Sequence, residues 1–104
     1  MLDKLEGMLA SGQDSANLRF ALANGYYRES DNERAIEHAR VAVTLDPDYS
    51  AAWRLLGQAQ TAAGLTADAT ASFERGIEVA RLGGDRQVEK EMQVFLRRLQ
   101  KSDE

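Results

Sequence analysis

Residues 51–73 read AAWRLLGQAQTAAGLTADATASF, and residues 17–39 read NLRFALANGYYRESDNERAIEHA. Laid over each other, the two stretches share a register: Leu22 falls on Leu56, Ala23 on Gly57 and Ala35 on Ala69, each pair 34 residues apart. The register persists beyond them, with Val43 on Ile77 and Leu45 on Val79. A constant period of this length marks a stacked helical array, in which each unit buries its apolar face against the next. Small residues at Ala23 or Gly57, and at Ala35 or Ala69, allow two antiparallel helices to approach closely. Leu22, Leu56, Tyr26, Trp53 and Phe73 fill the space around that contact.

Outward from this core the chain reads as helix nearly throughout, because alanine, leucine, glutamate and arginine abound and no apolar–polar alternation runs for a strand's length. A short first helix is expected from about Leu2 to Ala10, closed by Ser11-Gly12-Gln13-Asp14. The next runs from about Ser15 to Glu29, with Leu18, Leu22 and Tyr26 on one face. Asp31 is expected to cap a third helix ending near Leu45, whose apolar stripe is Ala35, Ile36, Ala39, Ala42 and Val43. Asp46-Pro47-Asp48 stops it, since proline breaks the hydrogen-bond ladder, and Asp48 is the expected cap of a helix from about Tyr49 to Ala63. Gly64 suits a left-handed closing residue, and Thr66 is the expected cap of a helix carrying Ala69, Phe73, Ile77 and Ala80. Gly83-Gly84 ends that helix. Asp85 opens a last one to about Lys101, with Val88, Met92, Phe95, Leu96 and Leu99 on a single face.

Trp53-x-x-Leu56-Gly57 followed by Ala69-x-x-x-Phe73 resembles the signature of the tetratricopeptide repeat (TPR) family, and Leu22, Ala23, Tyr26, Ala35, Ala42 and the closing Pro47 supply an earlier copy. The copies depart from the pattern differently. The first has Arg19 where the large aromatic is expected and Ala39 at the place of Phe73. The second has Gln60 for the tyrosine, Gly76 for a small alanine and Arg81 for the proline. The resemblance covers about Ala16 to Gly83. It implies an all-α fold: a single domain over residues 1–104, with antiparallel helix hairpins at about 16–49 and 50–83, a capping helix at 85–101 and a short N-terminal helix. Leu2, Leu5, Met8 and Leu9 are placed to close the array's other end.

The resemblance also implies that the first helix of each repeat lines a concave face where peptides or helices of a partner lie. Carried over residue by residue, that face holds Asn17, Phe20, Asn24, Tyr27 and Arg28, then Ala51, Arg54, Gln58 and Thr61. The amides and arginines there suit a peptide backbone or carboxylate, and the aromatics an apolar side chain. Some members grip a C-terminal carboxylate with a lysine–asparagine clamp over three repeats. Here Asn24 matches one clamp position, but Phe20 stands for a lysine and Leu55 for an asparagine, so that role is disfavoured.

The chain has 104 residues, with 17 acidic against 13 basic side chains, a net charge of −4. This balance argues against a nucleic-acid-binding surface. With no cysteine, a thiolate nucleophile and Cys-based metal sites are excluded, one imidazole cannot assemble a metal site, and no cofactor is expected. His38, the one candidate base near neutrality, is expected on the exposed face opposite the Ala35–Ala39–Ala42 stripe. Asp46/Asp48 and Glu89/Glu91 read as capping and solubility. The basic residues of the last helix, Arg86, Lys90, Arg97, Arg98 and Lys101, suit a helix C-terminus better than a membrane. There is no apolar stretch near bilayer length, no secretory leader pattern, and no lipidation motif at Leu2 or in Ser102-Asp103-Glu104. A cytoplasmic protein follows as the expectation. The function expected is a non-enzymatic protein-interaction module binding a peptide or helix. The alternative is a structural subunit forming a homodimer through stacked repeat faces, motivated by the small number of repeats.

Overall fold

Six helices in chain order account for most of the described residues of the computed structural model, and no strand is among them. They are α1 (Leu2–Ala10), α2 (Ala16–Arg28), α3 (Asn32–Leu45), α4 (Ser50–Ala62), α5 (Thr66–Leu82) and α6 (Arg86–Ser102). The structure describes residues 2–102. Met1, Asp103 and Glu104, which the expected 1–104 domain and its tail reading include, lie outside the described residues.

The helix ends follow from side-chain chemistry in part. Ser15 Oγ accepts the Leu18 N–H at 3.1 Å to start α2, and Asp31 Oδ1 accepts the Arg34 N–H at 3.2 Å to start α3. Asp85 starts α6 in the same way, its Oδ1 taking the Val88 N–H at 3.3 Å while its Oδ2 accepts the Ser50 hydroxyl at 3.0 Å. Two expected caps are corrected. Asp48 does not cap α4: its own N–H donates to Asp46 Oδ1 at 3.1 Å, and Tyr49 precedes the helix with no side-chain bond. Thr66 is already the first residue of α5, behind Leu65. Leu65 reaches that position because its N–H closes α4 on the Gln60 carbonyl at 2.9 Å, across Gly64 at φ +78°.

The apolar stripes become two cores. The first gathers Leu18, Leu22, Ala23 and Tyr26 of α2, the Ala35–Val43 stripe of α3, and Ala52, Leu55, Leu56 and Ala59 of α4. The second joins Ala69, Phe73, Ile77 and Ala80 of α5 to Val88, Met92 and Leu99 of α6. Trp53 packs against both, and its indole N–H donates to the Pro47 carbonyl at 2.8 Å. The close approach of α4 and α5 needs Gly57: a Cβ there would overlap the Phe73 ring. Gly76 is required similarly, its missing Cβ leaving room for Trp53 Cβ at 2.8 Å and Met92 Sδ at 2.5 Å. Leu2, Leu5, Met8 and Leu9 of α1 rest half-buried on the first core.

Hairpins α2–α3 and α4–α5 stack through α3 against α4, and α6 packs on α5. On one side α2 packs on α4 and α4 on α6, whereas on the other α3 and α5 stand further apart, bridged by the Arg40–Asp68 ion pair at 3.8 Å. The described array therefore curves, with α2, α4 and α6 lining its inner face, in a body of 45 × 28 × 18 Å.

Candidate functional site

The inner face holds a half-open pocket of about 240 Å³ where the C-terminal ends of α2, α4 and α6 come together. Tyr27 of α2, Gln58 and Thr61 of α4 and Phe73 of α5 form one part of its wall. Phe95, Arg98, Leu99 and Ser102 of α6 form the rest. The two phenylalanine rings lie 5.6 Å apart and tilted by 37°, so the floor is aromatic and rigid. The Thr61 hydroxyl donates back to the Gly57 carbonyl at 2.8 Å. Arg98 is the one formal charge of the lining. The carbonyls ending α2 and α4 are already occupied, Tyr26 and Tyr27 by the N–H groups of Asp31 and Ser30, Gln60 and Thr61 by those of Leu65 and Gly64. The negative poles of those two helices are thereby partly closed, and Arg98 sets the sign of the pocket.

The residues carried over from the family pattern divide into three groups. Tyr27, Gln58 and Thr61 are brought together in the pocket. Asn17 and Arg28 are exposed near the two ends of α2, and Asn24 and Ala51 are half-buried. Phe20 and Arg54 are already engaged within the fold. The Phe20 ring lies 5.1 Å from that of Tyr49, and the Arg54 guanidinium donates to Glu91 Oε1 of α6 at 2.9 Å. Burial raises the Tyr49 hydroxyl above its ordinary pKa, and the nearby Asp46 carboxylate adds to this. Sequence reasoning missed the α6 half of the pocket. Phe95 and Leu99 had been placed on a capping stripe, and nothing in their spacing distinguishes a wall facing a ligand from one facing the core.

The expectation for His38 is corrected: it is buried, with 6% of its surface exposed. The reason lies in helical geometry. His38 stands three residues after Ala35 and four before Ala42, so it flanks the apolar stripe instead of opposing it. Its ring stacks on Tyr26, centroids 5.6 Å apart and planes within 6°. Arg19 donates to His38 Nδ1 at 3.1 Å, which puts the imidazole proton on Nε2, 3.7 Å from Glu6 Oε1 on α1. Burial, with the Arg19 charge beside it, holds the imidazole below its ordinary pKa of 6.5. Arg19 is itself fixed by two bonds to Asp14, at 2.9 and 3.0 Å, which lower the Asp14 carboxyl. With one ring nitrogen bonded to Arg19 and one face stacked on Tyr26, the buried imidazole serves the packing of α2 against α3. Among the described residues no three His, Asp or Glu side chains cluster as metal ligands, and no helix is long and apolar enough to cross a membrane.

Comparison with known proteins agrees with this architecture. A family model described as tetratricopeptide repeat matches residues 16–59. A TPR repeat-containing protein of Pseudomonas aeruginosa is 51% identical over 102 residues, covering 98% of this chain and 97% of its own. The solution structure of a Bordetella parapertussis protein superposes with a TM-score of 0.86 at 43% identity, over 99% of this chain and 90% of that one. A heat-shock protein cognate co-chaperone of Aspergillus fumigatus is 30% identical over 81 residues, 78% of this chain but only 24% of that protein.

Proposed function

Because the chain belongs to the tetratricopeptide repeat family, whose domains are in general protein–protein interaction modules, we propose that it is a non-enzymatic scaffold of this kind, a single cytoplasmic domain binding a segment of a protein partner along its inner face. In this reading residues 16–49 and 50–83 act as the repeats and 85–101 as a capping helix that also completes the site. The observation that carries it is the aromatic pocket of about 240 Å³ on that face. Pockets for small molecules run to roughly 300–1,000 Å³, so this one suits a single bulky apolar side chain of a peptide. Gln58 and the half-buried Asn24 supply amide groups for the peptide backbone, and Arg98 takes over the role first expected of Arg54.

The co-chaperone name of one relative supports a protein as the partner. A carboxylate clamp is not part of the reading, since Leu55 is buried and Phe20 is engaged with Tyr49. The homodimer alternative rests on the small number of repeats and on open array ends; α1 resting on the first core and α6 on the second cover those ends and favour the peptide reading.

The test is recovery of bound proteins from the native cell by the wild type and by three variants. Tyr27→Ala and Arg98→Glu should each lose a partner that Arg54→Ala retains. If the first two stay folded and keep every partner, the groove assignment falls.

A further inference from the structure

The outer face of α6 carries a second surface, separate from the inner groove and independent of its reading. Arg86, Lys90, Arg97 and Lys101 are all exposed and recur at helical spacing on the side opposite the buried Val88, Met92 and Leu99. The helix has two acidic residues of its own, and both are taken by arginines from elsewhere: Glu91 by Arg54 of α4 at 2.9 Å and Glu89 by Arg81 of α5 at 3.3 Å. Gln93 adds a bond to Glu89 at 3.3 Å. The cations of α6 are thus left without a described carboxylate. Elsewhere six of the eight Lys and Arg side chains, Arg19, Arg34, Arg40, Arg54, Arg75 and Arg81, have one within 4.0 Å. In a chain of net charge −4 this is a local inversion of sign.

The strip begins at a cleft of about 350 Å³ in the corner between α5 and α6, lined by Arg81, Arg86, Lys90 and Gln93 around the neutralised Glu89. Arg81 stands where the first repeat has Pro47, so the departure from the repeat pattern supplies one wall of the cleft.

We propose that the outer face of α6, from the Arg81–Arg86–Lys90 cleft to Lys101, is a docking surface for an acidic segment of a protein partner. A helix of 17 residues is about 25 Å long, which matches a short run of aspartates and glutamates. The strip is one helix wide on an otherwise acidic molecule, a poor platform for an extended polyphosphate or a lipid surface, whose charge would also meet the remaining carboxylates.

The experiment titrates the full chain into a labelled oligo-glutamate peptide and follows fluorescence anisotropy. Oligo-thymidylate and phosphatidylserine vesicles serve as the competing anions. Binding to the peptide is expected at low salt, weakening as salt rises. Arg86→Glu/Lys90→Glu should weaken it by at least about tenfold, because like charges then face each other. Lys90→Gln/Arg97→Gln should give a smaller loss in the same direction. Arg34→Glu/Arg75→Glu changes the total charge by as much as the first variant but should leave affinity within about twofold. The proposal is overturned if the peptide does not bind, if the control variant weakens binding as much as the α6 variant, or if oligo-thymidylate or vesicles bind more tightly than the peptide.

Discussion

The two hairpins share a backbone plan and a 34-residue register, yet they are held by different chemistry. At positions 26 and 38 the first has a tyrosine ring stacked on a buried histidine. At the equivalent positions 60 and 72 the second has a buried hydrogen bond, the Ser72 hydroxyl donating to Gln60 Oε1 at 2.6 Å. The helix–helix contact differs as well. Ala23 is matched with Ala39 in the first, whereas Gly57 gives way to the ring of Phe73 in the second. The comparison shows that the fold specifies where bulk and polarity must be satisfied, and leaves open how. One hairpin uses an imidazole that burial holds below its ordinary pKa, and the other a neutral amide and hydroxyl.

The largest expected effect comes from emptying the second contact. Phe73 has 1% of its surface exposed, and Phe73→Ala should cost about 3–5 kcal/mol in urea unfolding. An Ala39→Gly change at the equivalent position should cost only about 1 kcal/mol. If the two losses are equal, the asymmetry between the hairpins is not energetic. Next comes Gly57→Ala, whose methyl would press on the Phe73 ring; it should lose about 1–3 kcal/mol, whereas Ala23 already occupies the matching place in the first hairpin without strain.

The third expectation concerns pH. The imidazole of His38 is held below 6.5, so the folded chain keeps it neutral while the unfolded chain takes up the proton first as pH falls. Its contribution is complete above about pH 6.5 and drains as pH drops toward the lower folded value. Asp14 acts in the same direction but only near and below its ordinary value of 3.8, so the two windows are separate. Thermal unfolding between pH 7 and pH 5 should show a falling Tm in the wild type. The double variant Tyr26→Gln/His38→Ser, which copies the pair of the second hairpin, should be flat over that range. An equal slope in both would remove His38 as the cause.

The smallest effect is at the turns. Ser30 adopts φ +63° where the second hairpin has Gly64 at φ +78°. Ser30→Gly should stabilise the chain by at most about 1 kcal/mol, the left-handed penalty removed less the added freedom of the unfolded chain. No gain in the denaturation midpoint would mean that the Ser30 turn is not strained.

Most of the fold could be read from the residues, because a period of 3.6 places Leu18, Leu22 and Tyr26 on one face and a period of 34 then says what that face meets. What depended on distant partners could not. Helix starts at Ser15, Asp31 and Asp85 were legible because the capping side chain is local, and those at Tyr49 and Leu65 were not, because each start is set by how the preceding turn closes. His38, expected opposite the alanine stripe, lies beside it, as its i−3 and i+4 relations to Ala35 and Ala42 require. Of the inner face, Tyr27, Gln58 and Thr61 could be placed from the repeat alone. The neutralisation of Arg54 by Glu91 and the α6 wall require knowing where the last helix lands, and no repeat copy encodes that.

Trp53, the sole indole of the chain, touches both cores and is tied to the carbonyl that ends the first hairpin. The molecule therefore contains an optical reporter lodged at its own seam. Emission that shifts before helicity is lost would reveal the halves sliding apart while each is still wound, and a single shared midpoint would show that they melt as one body.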